Sequence, residues 1–279
     1  MTDSLRIGLD QCEDQVRLAQ VNYALGRPEV MLLSAEPSSL ESISAAVARF
    51  GLSMPDDEAL VKYLQLKSQG PDDLRRKLYF ELSQSLLESP DLFRFEYLDT
   101  GNKHQIGLVF RQERIAARIE SLKCPPLTGV LSPAITLRSV ALARAYLIFC
   151  KSEPGDLVAL ATINAELASV VLLYRQKIVS IGSCAITARA GQFKSVAIAL
   201  KTLVNYKLTS IRDYGITVPL SVLLVTGDAV TADQRENLQA YFSARVTSFS
   251  PKQAVLEQAA KAGVADPEPY LVALGLTVN

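Results

Sequence analysis

A chain of 279 residues, 49% of them apolar and 21% charged, carries enough apolar side chains for one large packed core or two moderate ones. Lys plus Arg and Asp plus Glu both total 29, so no net field favours nucleic acid or another polyanion. One histidine, His104, and four cysteines, at 12, 124, 150 and 184, show no metal-ligand spacing and exclude a Cys/His metal cluster. The cysteines read as reduced core residues of a cytosolic chain. The start MTDSLRIGLD has no apolar signal segment, and no uncharged apolar run reaches the roughly 20 residues that span a bilayer.

In chain order, residues 5–9, 16–21 and 30–33 are short β-like runs separated by turn signals at 11–15 and 26–28, which predicts a three-stranded antiparallel meander. Ser38 or Ser39 caps a helix predicted over 41–50, with Ile43, Ala46, Val47 and Phe50 as its stripe and Gly51 as its end. Residues 59–66 read as either a strand or a weak helix. Gly70-Pro71-Asp72-Asp73 opens a helix whose predicted buried face is Leu74, Leu78, Phe80, Leu82 and Leu86. Strands are expected at 93–98 and 106–110, and a helix at 112–122. Cys124–Pro126 breaks the chain, a short strand is expected at 128–131, and 136–149 reads as an alanine-rich helix.

The Pro- and Gly-bearing stretch 151–155 is the expected boundary between a first unit, 1–151, with an inserted α/β segment around 56–123, and a second, 152–279. The second unit opens on the stretch that organises the chain, DLVALATINAELASVVLLYRQKIVSIG. It holds three apolar runs, at 157–161, 169–174 and 178–181, with turns at 162–166 and 175–177. Helices follow at 190–206, 233–242 and 251–260, strands at 220–225 and 245–249, and a closing apolar segment at 266–278. A meander with α/β elements thus occurs twice, an internal echo without evident sequence identity.

Ile7-Gly8-Leu9-Asp10, the stretch from Pro71-Asp72-Asp73-Leu74-Arg75 to Tyr79-Phe80-Glu81-Leu82, Phe95-Glu96-Tyr97, the run 157–180, Val225-Thr226-Gly227-Asp228-Ala229 and Pro269-Tyr270-Leu271 onward occur in a telling order. In that order the chain resembles the PilM-type cytoplasmic proteins of type IV pilus assembly and the related cytoplasmic part of the type II secretion L component. The resemblance implies an α/β actin-like ATPase (ribonuclease H-like) fold of two similar domains, each a β-meander with packed helices. It also implies a place at the inner face of a bacterial membrane, where such a module captures the cytoplasmic tail of a membrane subunit and meets other pilus or secretion components, without nucleic acid.

The loops depart from that family. Its first phosphate loop runs Asp-Ile-Gly and then small hydroxyl residues; here Asp10-Gln11-Cys12-Glu13-Asp14 lacks the glycine and adds two acids. Phosphate loops need glycine so that backbone N–H groups can reach the oxygens, and extra carboxylates repel the anion. The second loop, Thr162-Ile163-Asn164-Ala165-Glu166, lacks both the metal-facing carboxylate and the glycine. The third keeps only Gly227, followed by Asp228. The expectation is therefore an actin-like scaffold with no cofactor and no catalytic residue, in which Asp10, Gln11, Cys12, Thr162, Asn164, Gly227 and Asp228 are degenerate nucleotide-loop positions. Two alternatives stand beside it: a divergent member that still binds ATP and magnesium through Asp10 and Gly227, and a degenerate sugar-kinase-like or chaperone-like ATPase. Bland readings are a turn acid for Asp10, a strand-to-helix turn capped by Asp228 or Thr231, and a solvated loop for His104. An acid/base pairing of His104 with Glu13, Asp14 or Glu166, and a nucleophilic Cys12, find no support in spacing.

Overall fold

Ser4–Cys12 (β1), Gln15–Ala24 (β2) and Arg27–Ser34 (β3) form the first meander, in register from Ser4 opposite Tyr23 to Cys12 opposite Gln15. The computed structural model describes residues 4–12, 15–24, 27–35, 49–66, 70–101, 104–122, 133–187 and 193–278. Arg49–Met54 (β4) joins β1 in parallel, and Ala134–Leu137 (β8) joins β4 in parallel, giving the sheet order β3-β2-β1-β4-β8. Between β4 and β8 the chain builds a second layer. Ala59–Gln65 (β5), Phe93–Asp99 (β6) and His104–Arg111 (β7) form a three-stranded antiparallel sheet, order β5-β7-β6, covered by helix Pro71–Ser83 (α1), and Gln112–Ser121 (α2) follows.

After helix Arg138–Phe149 (α3) the first layout recurs. Leu157–Ile163 (β9), Leu167–Tyr174 (β10) and Lys177–Ala185 (β11) form a meander, helix Phe193–Arg212 (α4) follows, and Val222–Thr226 (β12) and Arg245–Thr247 (β13) add in parallel, giving β11-β10-β9-β12-β13. The β10–β11 turn places Arg175 and Gln176 at φ 48° and 65°, the left-handed pair a two-residue hairpin turn demands. Helices Ala232–Leu238 (α5), Gln253–Lys261 (α6) and Leu271–Leu276 (α7) complete the chain.

β9 is buried along its whole length because its two faces serve two cores. Leu157, Ala159, Ala161 and Ile163 pack under α4, whereas Val158 and Leu160 join a continuous core with the first sheet, α3 and α7. α7 lies on the first half rather than beside its sequence neighbours. Gly8 and Gly51, opposite each other on β1 and β4, clear the space for it: a Cβ on Gly8 would overlap the carbonyl of Ala273, and one on Gly51 that of Leu276. On its other side, Gly275 sits so close to α3 that a Cβ would overlap the carbonyl of Ala141. The terminal helix thus stitches the halves together.

Several elements differ from the sequence reading. Arg49, Phe50 and Gly51 are strand residues of β4, not a helix and its end, because Gly51 is needed flat beneath α7; the rest of that predicted helix, 41–48, and the predicted strand at 128–131 lie outside the described residues. The open stretch 59–66 is a strand. Phe80 is 59% exposed, since it lies two residues from the buried Leu78 and so on the wrong face of α1. Thr136 and Leu137 belong to β8, so α3 starts only at Arg138. His104 is a buried residue of β7, its ring 3.9 Å from that of Tyr214, not a solvated loop residue.

Candidate interdomain site

The ends of β1, β9 and β12 converge between the two halves, and the expected loop positions meet there. Asp10 and Cys12 are still strand residues of β1, facing Arg17 and Gln15 across the hairpin. Asp10 is fully buried and makes four short contacts. Ser53 Oγ on β4 donates to its Oδ1 at 2.7 Å, and Arg138 donates through Nε to Oδ1 and Oδ2 at 3.1 and 3.2 Å and through Nη2 to Oδ2 at 3.0 Å. Arg138 is the first residue of α3, where a cation opposes the helix dipole. The Asp10 carboxylate explains its presence. Burial works against the guanidinium's charge, but the Asp10 and Cys12 partners outweigh that, and its pKa lies above the usual arginine value.

The third donor of Arg138, Nη1, reaches Cys12 Sγ at 2.8 Å. Burial pushes the Cys12 thiol up to about 11, so at neutral pH it keeps its proton and hydrogen-bonds to the carboxylate of Asp228. Asp228 comes from the second half. Arg17 Nη2 donates to its Oδ1 at 2.8 Å and to Gln15 Oε1 at 2.8 Å. Burial alone would raise the Asp228 pKa, yet Arg17, Cys12 and Arg138 together hold it below the usual aspartate value. A chain of hydrogen bonds therefore runs Asp10–Arg138–Cys12–Asp228–Arg17 from one half to the other.

The neighbouring groups are also occupied. Asp56, buried just after β4, accepts the Ser139 N–H at 3.2 Å and the Ser139 hydroxyl, so an internal carboxylate sits at the N-terminus of α3. Burial raises its pKa. Gln11 is tied to α2: its carbonyl accepts from Arg118 and its Oε1 accepts from Ser121 Oγ at 2.8 Å. Thr162 is buried opposite Thr226 across the parallel β9–β12 pair. Gly227, at φ 130°, lies against Ile163 so tightly that a Cβ would overlap the Ile163 carbonyl. Thr231, not Asp228, caps α5, in a reciprocal pair with Gln234. Asn164 Oδ1 is buried without a hydrogen-bond partner.

Asn164 and Arg138 stand between two cavities. The one on the Gly227 side, lined with Thr162, Thr226, Arg235, Asp266 and Glu268, measures about 140 Å³. Arg235 and Glu268 cross it as an ion pair at 3.3 Å. The one on the other side, lined with Asp57, Glu58, Arg118, Glu166 and Cys184 among others, measures about 1050 Å³. Among the described residues no cluster of three His, Cys, Asp or Glu side chains is placed to hold a metal ion, and no helix is long and apolar enough to cross a membrane.

The sequence reading named Asp10, Cys12 and Asp228 but not Arg17, Arg138 and Ser53, the side chains that bond to them. Arg138 was concealed inside an alanine-rich run, where nothing in the spacing marks its partner 128 residues away. Glu166 is exposed, and His104 hydrogen-bonds through Nε2 to the Gln65 side chain at 2.6 Å.

No protein-family model matches the sequence, and no curated protein does. The fold has solved counterparts. The chain is similar to a chain of a PilM–PilN type IV pilus biogenesis complex at 16% identity, covering 98% of this chain and 97% of that one, with a TM-score of 0.67. It is similar to an actin-like ATPase-fold protein from Bacteroides thetaiotaomicron at 11% identity, covering 87% and 90%, with a TM-score of 0.50. The cytoplasmic domain of EpsL, an inner membrane component of the Vibrio cholerae type II secretion system, is similar at 10% identity over 93% and 94%, with a TM-score of 0.49. The chain has the actin-like ATPase fold, with the same strand arrangement repeated in β3-β2-β1-β4-β8 and β11-β10-β9-β12-β13.

Proposed function

We propose that the protein is an actin-fold scaffold that does not turn over nucleotide, and that it serves as a cytoplasmic adaptor of a type IV pilus or type II secretion assembly by holding the cytoplasmic tail of a membrane subunit. The observation that carries the first part is the engagement of Asp10. A carboxylate that orients a magnesium-bound water must be open to the metal, whereas this one has its oxygens taken by Arg138 and Ser53. The residues present do not fit the nucleotide either. Small-molecule sites run to roughly 300–1,000 Å³; the Gly227 side offers about 140 Å³ crossed by Arg235 and Glu268, and the adjoining cavity of about 1050 Å³ is wide enough but turns Asp57, Glu58 and Glu166 toward an anion.

The adaptor part rests on the likeness to the PilM–PilN complex and on a groove in the inserted layer. Between α1 and β6 lies an opening of about 510 Å³ floored by Leu78, Leu82, Phe95 and Tyr97, with Tyr79 exposed at its rim and Arg75 and Arg76 beside it. β6 is an edge strand of its sheet among the described residues, the kind of strand to which an extended segment adds. The occupant that suits this surface is an extended partner segment with apolar anchors and a carboxylate for the arginines.

Titration of ATP with magnesium into the purified protein, followed by calorimetry, tests the reading. No saturable heat up to about millimolar ligand is expected; micromolar, magnesium-dependent binding would overturn it and favour the ATP-binding alternative. A photo-crosslinker at Tyr79 in cells is expected to trap a membrane protein's tail. A crosslink confined to soluble proteins would remove the adaptor role.

A further inference from the structure

We propose that Asp228, Arg17, Cys12, Arg138 and Asp10 form an interdomain clamp that pins the two halves of this actin-like fold together on the Gly227 side of the cleft. Domain closure around a ligand needs differential contacts that exist only in the closed state. Here those contacts are covalently part of the chain. Four of the five members belong to the first half and are buried: Asp10 is 0% exposed, and Arg17, Cys12 and Arg138 are 7–8%. Asp228 is the one member supplied by the second half, and its side chain keeps 39% exposure. Opening the cleft would strip Asp228 from Arg17 and Cys12, leaving a buried guanidinium without its carboxylate.

A second set of contacts closes the other edge in the same sense. Tyr63 on β5 donates its hydroxyl to the Ile181 carbonyl at 2.6 Å and accepts the Ile181 N–H at 2.7 Å. It thereby satisfies backbone groups on β11, the edge strand of the second sheet, as an added strand would. Ser183 Oγ reaches the carbonyl of Asp56 at 3.5 Å. These clasps sit on one side of the cleft and the Arg17–Asp228 pair on the other, so the halves are held at two separated places.

The clamp goes beyond the lack of nucleotide turnover: a fold that turns over no nucleotide could still leave its halves free to move apart. Hydrogen exchange followed by mass spectrometry on the full chain separates the two. Wild type, Arg17→Ala, Asp228→Ala and the reversed pair Arg17→Asp/Asp228→Arg are compared, each with and without ATP and magnesium. Each single variant is expected to speed exchange at β1 around Asp10 and at 164–167 by about tenfold, the scale of one coupled contact in a network, while α4 and β6 stay protected. The reversed pair is expected to recover protection. Unchanged cleft exchange in both single variants overturns the clamp, as does acceleration spread equally into α4, which marks general loss of stability. Binding of ATP with the expected exchange pattern would overturn the proposed function and leave the clamp standing.

Discussion

At the residue scale, the cleft is governed by a buried ion pair whose value lies in being complete. Removing one partner of such a pair leaves an uncompensated charge and costs about 3–5 kcal/mol, whereas replacing both with apolar or neutral groups is often near neutral. Arg138→Met is therefore expected to destabilise the protein by about that amount in urea titrations, and adding Asp10→Asn to recover much of the loss. Failure of the second substitution to recover stability would show that the guanidinium matters for packing rather than charge. pH dependence follows from Asp228. Its pKa is held below the usual 3.8, so its contribution is complete above that value and is lost as pH falls through it toward the folded-state pKa. Thermal stability is expected to decline below about pH 4, and the decline to be shallower in Asp228→Asn, as scanning calorimetry across pH 3–6 would reveal. Burial raises the pKa of Asp56, which acts in the opposite sense and favours the folded state on mild acidification, so the Asp228→Asn comparison is what isolates the clamp's share.

At the element scale, α7 is the piece that depends on glycine. Gly8, Gly51 and Gly275 each stand where a Cβ meets backbone rather than the movable end of a side chain. Gly275→Ala is expected to push α7 off α3 and lower stability by at least the roughly 1–3 kcal/mol typical of overpacking, read as a fall in the melting temperature; an unchanged melt would mean that α7 is not docked as described. Tyr63→Phe removes the hydroxyl that pairs with Ile181 and is expected to raise amide exchange at 180–182 while leaving β9 unchanged. Most elements were legible in the sequence because alternation and turn residues are local signals: the first meander, β6, β7, the β9–β11 meander and the start of α1 stand where the pattern puts them. Two of the misreadings share a cause. Phe50-Gly51 and Thr136-Leu137 belong to parallel strands buried on both faces, which lose the alternation that marks a half-exposed strand. Phe80 was assigned by hydrophobicity, but its place on α1 turns it to solvent.

At the scale of the whole molecule, two sheets of the same order, with α3 and α7 between them, share one continuous core, and the cleft ends where that core gives way to charge. With the halves joined through that core and the proposed clamp, the response to ATP and magnesium is expected to be nil by both calorimetry and exchange. The sequence by itself determined the duplicated meander, because periodicity and turn residues are written in consecutive positions, and the order of its motifs carried the resemblance that implied the actin-like fold. It also singled out Asp10, Gly227 and Asp228, although Asp10 stands within β1 and not in a loop. Only the tertiary structure decided what those carboxylates do: Asp10 meets Arg138 and Asp228 meets Arg17 across 128 and 211 residues of chain. A pairing of that kind comes from how the sheets pack, and no local spacing encodes it.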